Sequence, residues 1–313
     1  MSDIAPHGLH HVTAIAGDPQ RNVEFYTRVL GLRLVKQTVN FDAPHVYHLY
    51  YGDAEGNPSS LLTFFPWPEV EAGRQGAGLT TATGFGVPPE SLGWWQKRLA
   101  GLGVDADPPR DADGEEVLTL RDPEGLVVDL VAAPGDGRSG WDGAADVPAE
   151  HAVRGLHAVT LSETVSDPTH DMLTSLLNMS GTDRPDGGRF VMPGHDGVAV
   201  DVRGGVRERG RQAGGTVHHI AFRAPDRATQ HRWREQLVAN GLEVTEILDR
   251  QYFTSIYFRE PGGVLFEIAT DRPGFTVDEP LLELGRSLKL PPWLEPDRDR
   301  IEATLPPLRV DRG

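Results

Sequence analysis

Three places in this 313-residue chain carry residue types that could hold a metal ion. His10-His11 and His218-His219 are adjacent histidines inside short apolar-alternating runs, and Glu267 stands alone within Val264-Leu265-Phe266-Glu267-Ile268-Ala269. A carboxylate in an apolar strand is costly to bury unless it is paired or binds a cation. Neighbouring side chains of a strand point to opposite faces, so one histidine of each pair should face a pocket and the other should lie behind it. With no cysteine in the sequence, a metal must rest on nitrogen and oxygen ligands, and disulfides and thiolate nucleophiles are excluded. Two imidazoles and one carboxylate would leave about three open positions on an octahedral Fe(II), room for an organic substrate and O₂ together.

The elements that must position these residues recur along the chain. Gly8-Leu9-His10-His11-Val12-Thr13 returns as Gly155-Leu156-His157-Ala158-Val159-Thr160, less closely as Gly215-Thr216-Val217-His218-His219-Ile220-Ala221, and faintly as Gly78-Leu79-Thr80-Thr81-Ala82-Thr83. Each is a strand pattern followed by a helix pattern. Asp18-Pro19 and Asp167-Pro168 place an N-cap acceptor before a proline at the first helical position, and Asp226 leads the fourth helix. Val23, Tyr26, Val29 and Leu30 form one apolar face, as do Leu92, Trp95, Leu99 and Leu102, then Met172, Leu173, Leu176 and Leu177, then Trp233, Leu237 and Val238. Further strands follow each helix; Arg121-Asp122-Pro123-Glu124-Gly125 and Arg259-Glu260-Pro261-Gly262-Gly263 are the same turn in copies two and four.

The sequence therefore predicts an α+β protein of four βαβββ modules, paired into two half-barrel domains whose concave faces are ready-made pockets. In chain order the expected domains are residues 1–133 (modules one and two) and 151–272 (modules three and four). A Gly-, Ala- and Asp-rich linker at 134–150 joins them, and an irregular tail fills 273–313. A net charge of −16 disfavours nucleic acid and anionic lipid surfaces as partners. Neither a membrane-spanning run nor a signal peptide is recognisable, so the expectation is a cytoplasmic, small-molecule protein, with homo-oligomerisation left open.

The repeats resemble the vicinal oxygen chelate superfamily (glyoxalase, bleomycin resistance and dioxygenase proteins) over nearly the whole chain. In that superfamily the ligand is the histidine just before the hydrophobic-x-hydrophobic run, which implies His11 and His219 here, with Glu267 as the carboxylate. The matching positions are Ala158 in copy three and Thr81 in copy two, and Thr63 and Asp129 match Glu267 in copies one and two. Glyoxalase-type members use four protein ligands, so three favours oxygen chemistry.

The stretches Leu34-Val35-Lys36-Gln37-Thr38-Val39-Asn40-Phe41-Asp42, Tyr47-His48-Leu49-Tyr50-Tyr51-Gly52-Asp53 and Leu62-Thr63-Phe64-Phe65-Pro66, and the tail segments Leu288–Pro292 and Ile301–Pro306, are similar to hydroquinone ring-cleaving dioxygenases. That resemblance implies Fe(II), with Mn(II) or another divalent ion as the alternative, held by His11, His219 and Glu267. It implies a small aromatic substrate bound through a deprotonated hydroxyl, with O₂ alongside. It also maps pocket roles onto His10, Thr13, His218, Arg250 and Tyr257: a histidine to take the phenolic proton, Arg250 to stabilise anionic oxygen, Tyr257 to hydrogen-bond substrate or oxygen adduct. Tyr257 faces Glu267 if Pro261-Gly262-Gly263 is a three-residue hairpin loop, and turns away if the loop has two.

His45, His48, His151, His170, His195 and His231 have no matched partners and are expected to be surface or packing residues; Asp129 is expected to be a structural or partner-facing carboxylate. The alternatives to a dioxygenase are a non-redox metal-dependent isomerase, lyase or thiol transferase on the same fold, and a non-catalytic ligand-binding member.

Overall fold

The structure, a computed structural model, describes residues 5–112, 114–144, 146–193 and 198–310; His195 lies outside them. Module one comprises β1 (Leu9–Ala16), β2 (Arg33–Asn40), β3 (Ala43–Gly52) and β4 (Leu61–Pro66). Module two comprises β5 (Leu79–Val87), β6 (Arg110–Ala112), β7 (Glu115–Arg121) and β8 (Val127–Ala132). Module three is β9 (Gly155–Ser162), β10 (Ser180–Arg184), β11 (Gly187–Val191) and β12 (Ala199–Arg203), and module four is β13 (Thr216–Ala224), β14 (Leu248–Asp249), β15 (Thr254–Arg259) and β16 (Leu265–Thr270). A helix follows the first strand of each: α1 (Pro19–Glu24), α2 (Leu92–Gly101), α3 (Asp167–Asp171) and α4 (Arg227–Ala239).

Local chemistry explains the helix starts. Asp18 accepts from the Arg21 amide at 2.8 Å and Asp226 from the Thr229 amide at 2.7 Å, each satisfying a donor with no partner inside the helix. Asp167 differs from expectation: it is the first helical residue and Ser166 the cap. Trp95, Leu99, Trp233 and Leu237 are buried in the main core, where α4 packs on β13, β15 and β16.

The sixteen strands form two curled eight-stranded sheets, in the orders β14-β15-β16-β13-β1-β4-β3-β2 and β10-β11-β12-β9-β5-β8-β7-β6. Modules one and four therefore share a sheet, as do modules two and three, instead of the chain-order pairing of one with two and three with four. The seam decides this: β1 pairs antiparallel with β13, and β5 with β9, so module one is completed by distant module four and module two by the adjacent module three.

Each seam carries two β-bulges. Leu9 faces Phe222 while His11 faces Ala221, which leaves His10 as an extra residue; Thr13 faces His219 while Ala14 faces Val217, which leaves His218 extra. The second seam repeats the pattern with Thr81 and His157 as the extra residues. The residue of copy two that matches His219 is consequently Ala82, one position beyond Thr81: the glycine before β5 aligns with that before β13, whose strand has one more residue ahead of the ligand position.

The tail is partly ordered and is strapped to module one. Lys36, fully buried, donates to Asp278 at 2.6 Å, to the Phe275 carbonyl at 3.2 Å and to Glu279. The Lys289 amide bonds the Gln37 carbonyl at 2.9 Å, the Tyr47 hydroxyl bonds the Pro306 carbonyl at 3.0 Å, and α5 (Arg298–Thr304) packs against β3.

Just beyond β9, Glu163 is buried beside Glu260 of the β15–β16 turn. Glu260 accepts from the amides of Gly262 and Val264, both at 2.8 Å, and from Thr169 at 2.7 Å. Burial, and then the charge of Glu260, raise Glu163 from 4.5 to about 8. The folded chain thus keeps a proton that the unfolded chain releases, so this group's stabilisation is lost as pH rises from about 4.5 to about 8. Glu163→Gln should remove that slope, raising the thermal midpoint at about pH 8 more than at about pH 5; equal shifts at both would refute the assignment.

Candidate metal centre

The seam that joins modules one and four brings the ligands together. His11 and His219 leave β1 and β13 toward the same concavity, and Glu267 on β16 pairs with Ala221 of β13. Nε2 of His11 lies 3.2 Å from Nε2 of His219; Oε2 of Glu267 lies 3.3 Å from the first and 2.9 Å from the second. All three residues are buried, Glu267 completely. Ligands ~2.1 Å from a common centre and at right angles to one another would stand ~3.0 Å apart, which matches this triangle. The second Glu267 oxygen accepts from the Ser255 hydroxyl, whereas Oε2 has no hydrogen-bond partner. An unsatisfied carboxylate oxygen between two imidazole nitrogens is an arrangement that a divalent cation completes. Burial opposes ionisation of Glu267, and positive charge at His11 and His219 would outweigh it and hold the carboxyl well below its usual range; a bound cation would supply that charge in place of imidazole protons.

The bulge histidines fix the tautomers of the ligands. Nδ1 of His10 is 2.9 Å from Nδ1 of His11, and Nδ1 of His218 is 2.7 Å from Nδ1 of His219. If the ligand Nε2 atoms keep their lone pairs for a metal, each ligand carries its proton on Nδ1 and donates it to its neighbour. His10 and His218 then carry their protons on Nε2, and His10 donates to the Thr270 carbonyl at 3.2 Å. Burial, and second the adjacent imidazole, lower both to about 3, so both are neutral at working pH. On that tautomer His218, which lines the cavity, presents an Nε2–H donor.

A cavity of about 340 Å³ opens on the triad. Phe41, His48, Tyr50 and Phe65 from module one face Leu248, Arg250, Tyr257 and His218 from module four, with Phe253 at the base beside His10 and His11. His218 and His219 both line it, contrary to simple alternation, because the bulge breaks the period of two. His10 instead lines a separate cavity behind the sheet. Tyr257 lies opposite Glu267, and the turn is the three-residue loop with Glu260 facing Val264. Its hydroxyl accepts from Nε of Arg250 at 3.2 Å; burial and then Glu267 raise its pKa, keeping it protonated. Thr13 is wholly buried below the wall, 2.7 Å from Thr63, and is not among the lining residues.

His48 was expected to be a packing residue and is a wall of the cavity. Its Nε2 is 2.9 Å from the Thr63 hydroxyl and its Nδ1 2.9 Å from the Tyr50 hydroxyl, and its ring lies between those of Tyr50 and Phe65. A signal existed: Tyr50 pairs with Thr63 as Tyr257 pairs with Glu267, and His48 shares a strand face with Tyr50. Four of the remaining histidines make ring or side-chain contacts away from the triad. His45 edges Trp67, His151 stacks on Trp94, His170 packs on Phe190, and exposed His231 faces Glu235.

In the second sheet the ligand positions hold Ala158 and Ala82, and Asp129 and Asp201 stand where Glu267 and Thr63 do in the first. That concavity is crossed by ion pairs: Arg189 with Glu115 (2.8 Å) and Asp201 (3.2 Å), and Glu115 with His157 (2.7 Å). Asp129 accepts from Thr119 at 2.5 Å.

The model of the Glyoxalase/Bleomycin resistance protein/Dioxygenase superfamily matches residues 8–130 and 151–268, which together cover most of the chain. The chain belongs to that superfamily. It is 43% identical over 304 residues to the Bacillus subtilis protein named "Putative ring-cleaving dioxygenase MhqE", covering 96% of this chain and 99% of that one. It is 34% identical over 313 residues to the chlorohydroquinone/hydroquinone 1,2-dioxygenase of Sphingobium indicum, covering 95% of each. A crystal structure titled as that of a "putative dioxygenase" from Bacillus subtilis superposes with a TM-score of 0.95 at 40% identity, covering 99% of this chain and 100% of the other. Among superfamily members the named relatives are oxygenases, and the His11–His219–Glu267 cluster is the group among the described residues that could hold a metal.

Metal analysis after dialysis should find about one divalent ion per chain, and almost none in His219→Ala or Glu267→Gln. His10→Leu, which removes the partner that orients His11, should weaken metal affinity ~10–100-fold while the far-ultraviolet circular dichroism stays unchanged. Undiminished affinity would show that the bulge histidines do not support the ligands.

Proposed function

We propose that this superfamily member is an Fe(II)-dependent ring-cleaving dioxygenase acting on a substituted hydroquinone or related phenol, held by His11, His219 and Glu267. The observation that carries the reading is the donor set: two histidines and one carboxylate, with Thr63 at the position where a second carboxylate would complete a four-ligand site. When bound, Fe(II) supplies the acidity that ionises a phenol and the redox chemistry that engages O₂.

The protein's own groups favour a phenolate. Nε2–H of His218, the hydroxyl of Tyr257 and the guanidinium of Arg250 are donors on one side of the cavity. A phenolate oxygen among fixed donors in a water-poor cup is stabilised more than in bulk water, because the dipoles need no reorganisation. Phe41, Tyr50, Phe65 and Phe253 supply a flat apolar surround suited to an aromatic ring. His48 is held neutral, since burial first and then the nearby His11 and His219 lower its pKa well below normal. Tied to Thr63 and Tyr50, it fixes the wall opposite Arg250.

Protein loaded anaerobically with Fe(II) and given methyl- or chlorohydroquinone should consume O₂ and form a ring-opened acid. Arg250→Ala should lower kcat/KM ~10²–10³-fold and Tyr257→Phe ~10–100-fold. Turnover with Zn(II) or Ni(II) and without O₂ would instead identify a non-redox lyase, isomerase or transferase; tight ligand binding that survives His219→Ala would identify a binding protein.

A further inference from the structure

We propose that Asp42 is a positioning residue of this cavity: from the tip of the β2–β3 hairpin of module one it reaches the cavity wall and aims the Arg250 guanidinium of module four at the oxygen of a bound phenolate. The inference rests on the phenol-binding reading above. Oδ2 of Asp42 meets Nη2 of Arg250 at 3.0 Å, while Nε of Arg250 is engaged by the Tyr257 hydroxyl at 3.2 Å. The guanidinium carbon also sits 5.2 Å from the centre of the Tyr257 ring. Two contacts, at Nε and at Nη2, fix the guanidinium plane, and Nη1 is left with no protein partner among the described residues. A ligand oxygen is what that remaining edge can take.

An ion pair between two mobile surface side chains holds little in place. This pair differs on both sides. The Arg250 side chain is only 18% exposed. Asp42, although 74% exposed, projects from an anchored tip: its amide bonds Oδ1 of Asn40 at 3.0 Å, and neighbouring Phe41 packs edge-on against Trp293 of the tail. Asp42 also carries a negative charge that would repel a phenolate. Because it is largely in water, that repulsion is screened over roughly 8 Å, whereas losing Asp42 leaves the guanidinium held at Nε alone, free to swing about that contact. Orientation is therefore the larger effect, and removing Asp42 weakens binding.

The test is a double-mutant cycle on Zn(II)-loaded protein, which performs no redox turnover, titrated with 4-nitrophenol and followed by its visible phenolate band. Asp42→Ala should raise the dissociation constant about tenfold, and Asp42→Asn, which keeps an acceptor, by less than about threefold. In an Arg250→Ala background Asp42→Ala should have no further effect. With Fe(II) and methylhydroquinone, Asp42→Ala should raise KM more than it lowers kcat. Equal effects in both backgrounds, unchanged affinity in Asp42→Ala, or tighter binding in Asp42→Asn would overturn the proposal. Coupling in the nitrophenol cycle without O₂ uptake by any variant would sink the dioxygenase reading and leave this inference standing; O₂ uptake with an additive cycle would do the reverse.

Discussion

The antiparallel ladder between β1 and β13 is the interaction on which the other features depend. It sets His11 and His219 on facing strands, and its neighbour β16 delivers Glu267 to the same point. Its bulges matter as much as its regular pairs. An unbulged ladder would turn His218 behind the sheet, and neither ligand would have an imidazole within reach of its second nitrogen. The extra residue on each strand brings the two Nδ1 atoms of each pair within 2.7–2.9 Å, so each ligand has a neighbour ready to take its Nδ1 proton when its Nε2 faces a metal. Three ligand atoms about 3 Å apart among buried side chains would repel without a cation; the surrounding sheet holds them together against that crowding.

The two half-barrels are one scaffold used for different electrostatic ends. At four equivalent positions the first sheet has His11, His219, Glu267 and Thr63, and the second has Ala158, Ala82, Asp129 and Asp201. Replacing the imidazoles with methyl groups leaves carboxylates that need another counter-charge, and arginines from neighbouring strands provide it. Arg189 occupies the place of Tyr50, and the ion pairs of the second cup stand where the first cup has room for an aromatic ring.

Much of this was legible in the sequence because it is local. Repeated strand–helix patterns, Asp18 and Asp226 as caps, the lone Glu267 in an apolar strand and the three-residue loop that turns Tyr257 inward all depend on residues close in the chain. What was missed depends on partners far away. The pairing of module one with module four and the bulges at His10 and His218 arise from a seam between segments 208 residues apart, and the shift from Thr81 to Ala82 arises from the second seam, between segments 79 residues apart. The place of His48 in the wall follows from the partner of its strand neighbour Tyr50, which no repeat position marks. Asp42 lies in a hairpin tip whose sequence gives no hint that Arg250 is opposite.

The seam also has a bearing on how such a chain comes into being. His11 and His219 touch across 208 residues, whereas modules two and three are contiguous and build their sheet from segments close in order. During synthesis the inner half-barrel has all its strands while β1 still lacks its neighbour β13. The first module must therefore wait, with an unpaired strand edge and its apolar face uncovered, until the fourth emerges. Interrupted translation would leave the metal-free half complete and expose the half that carries the ligands, which makes the N-terminal module the segment with most need of a chaperone.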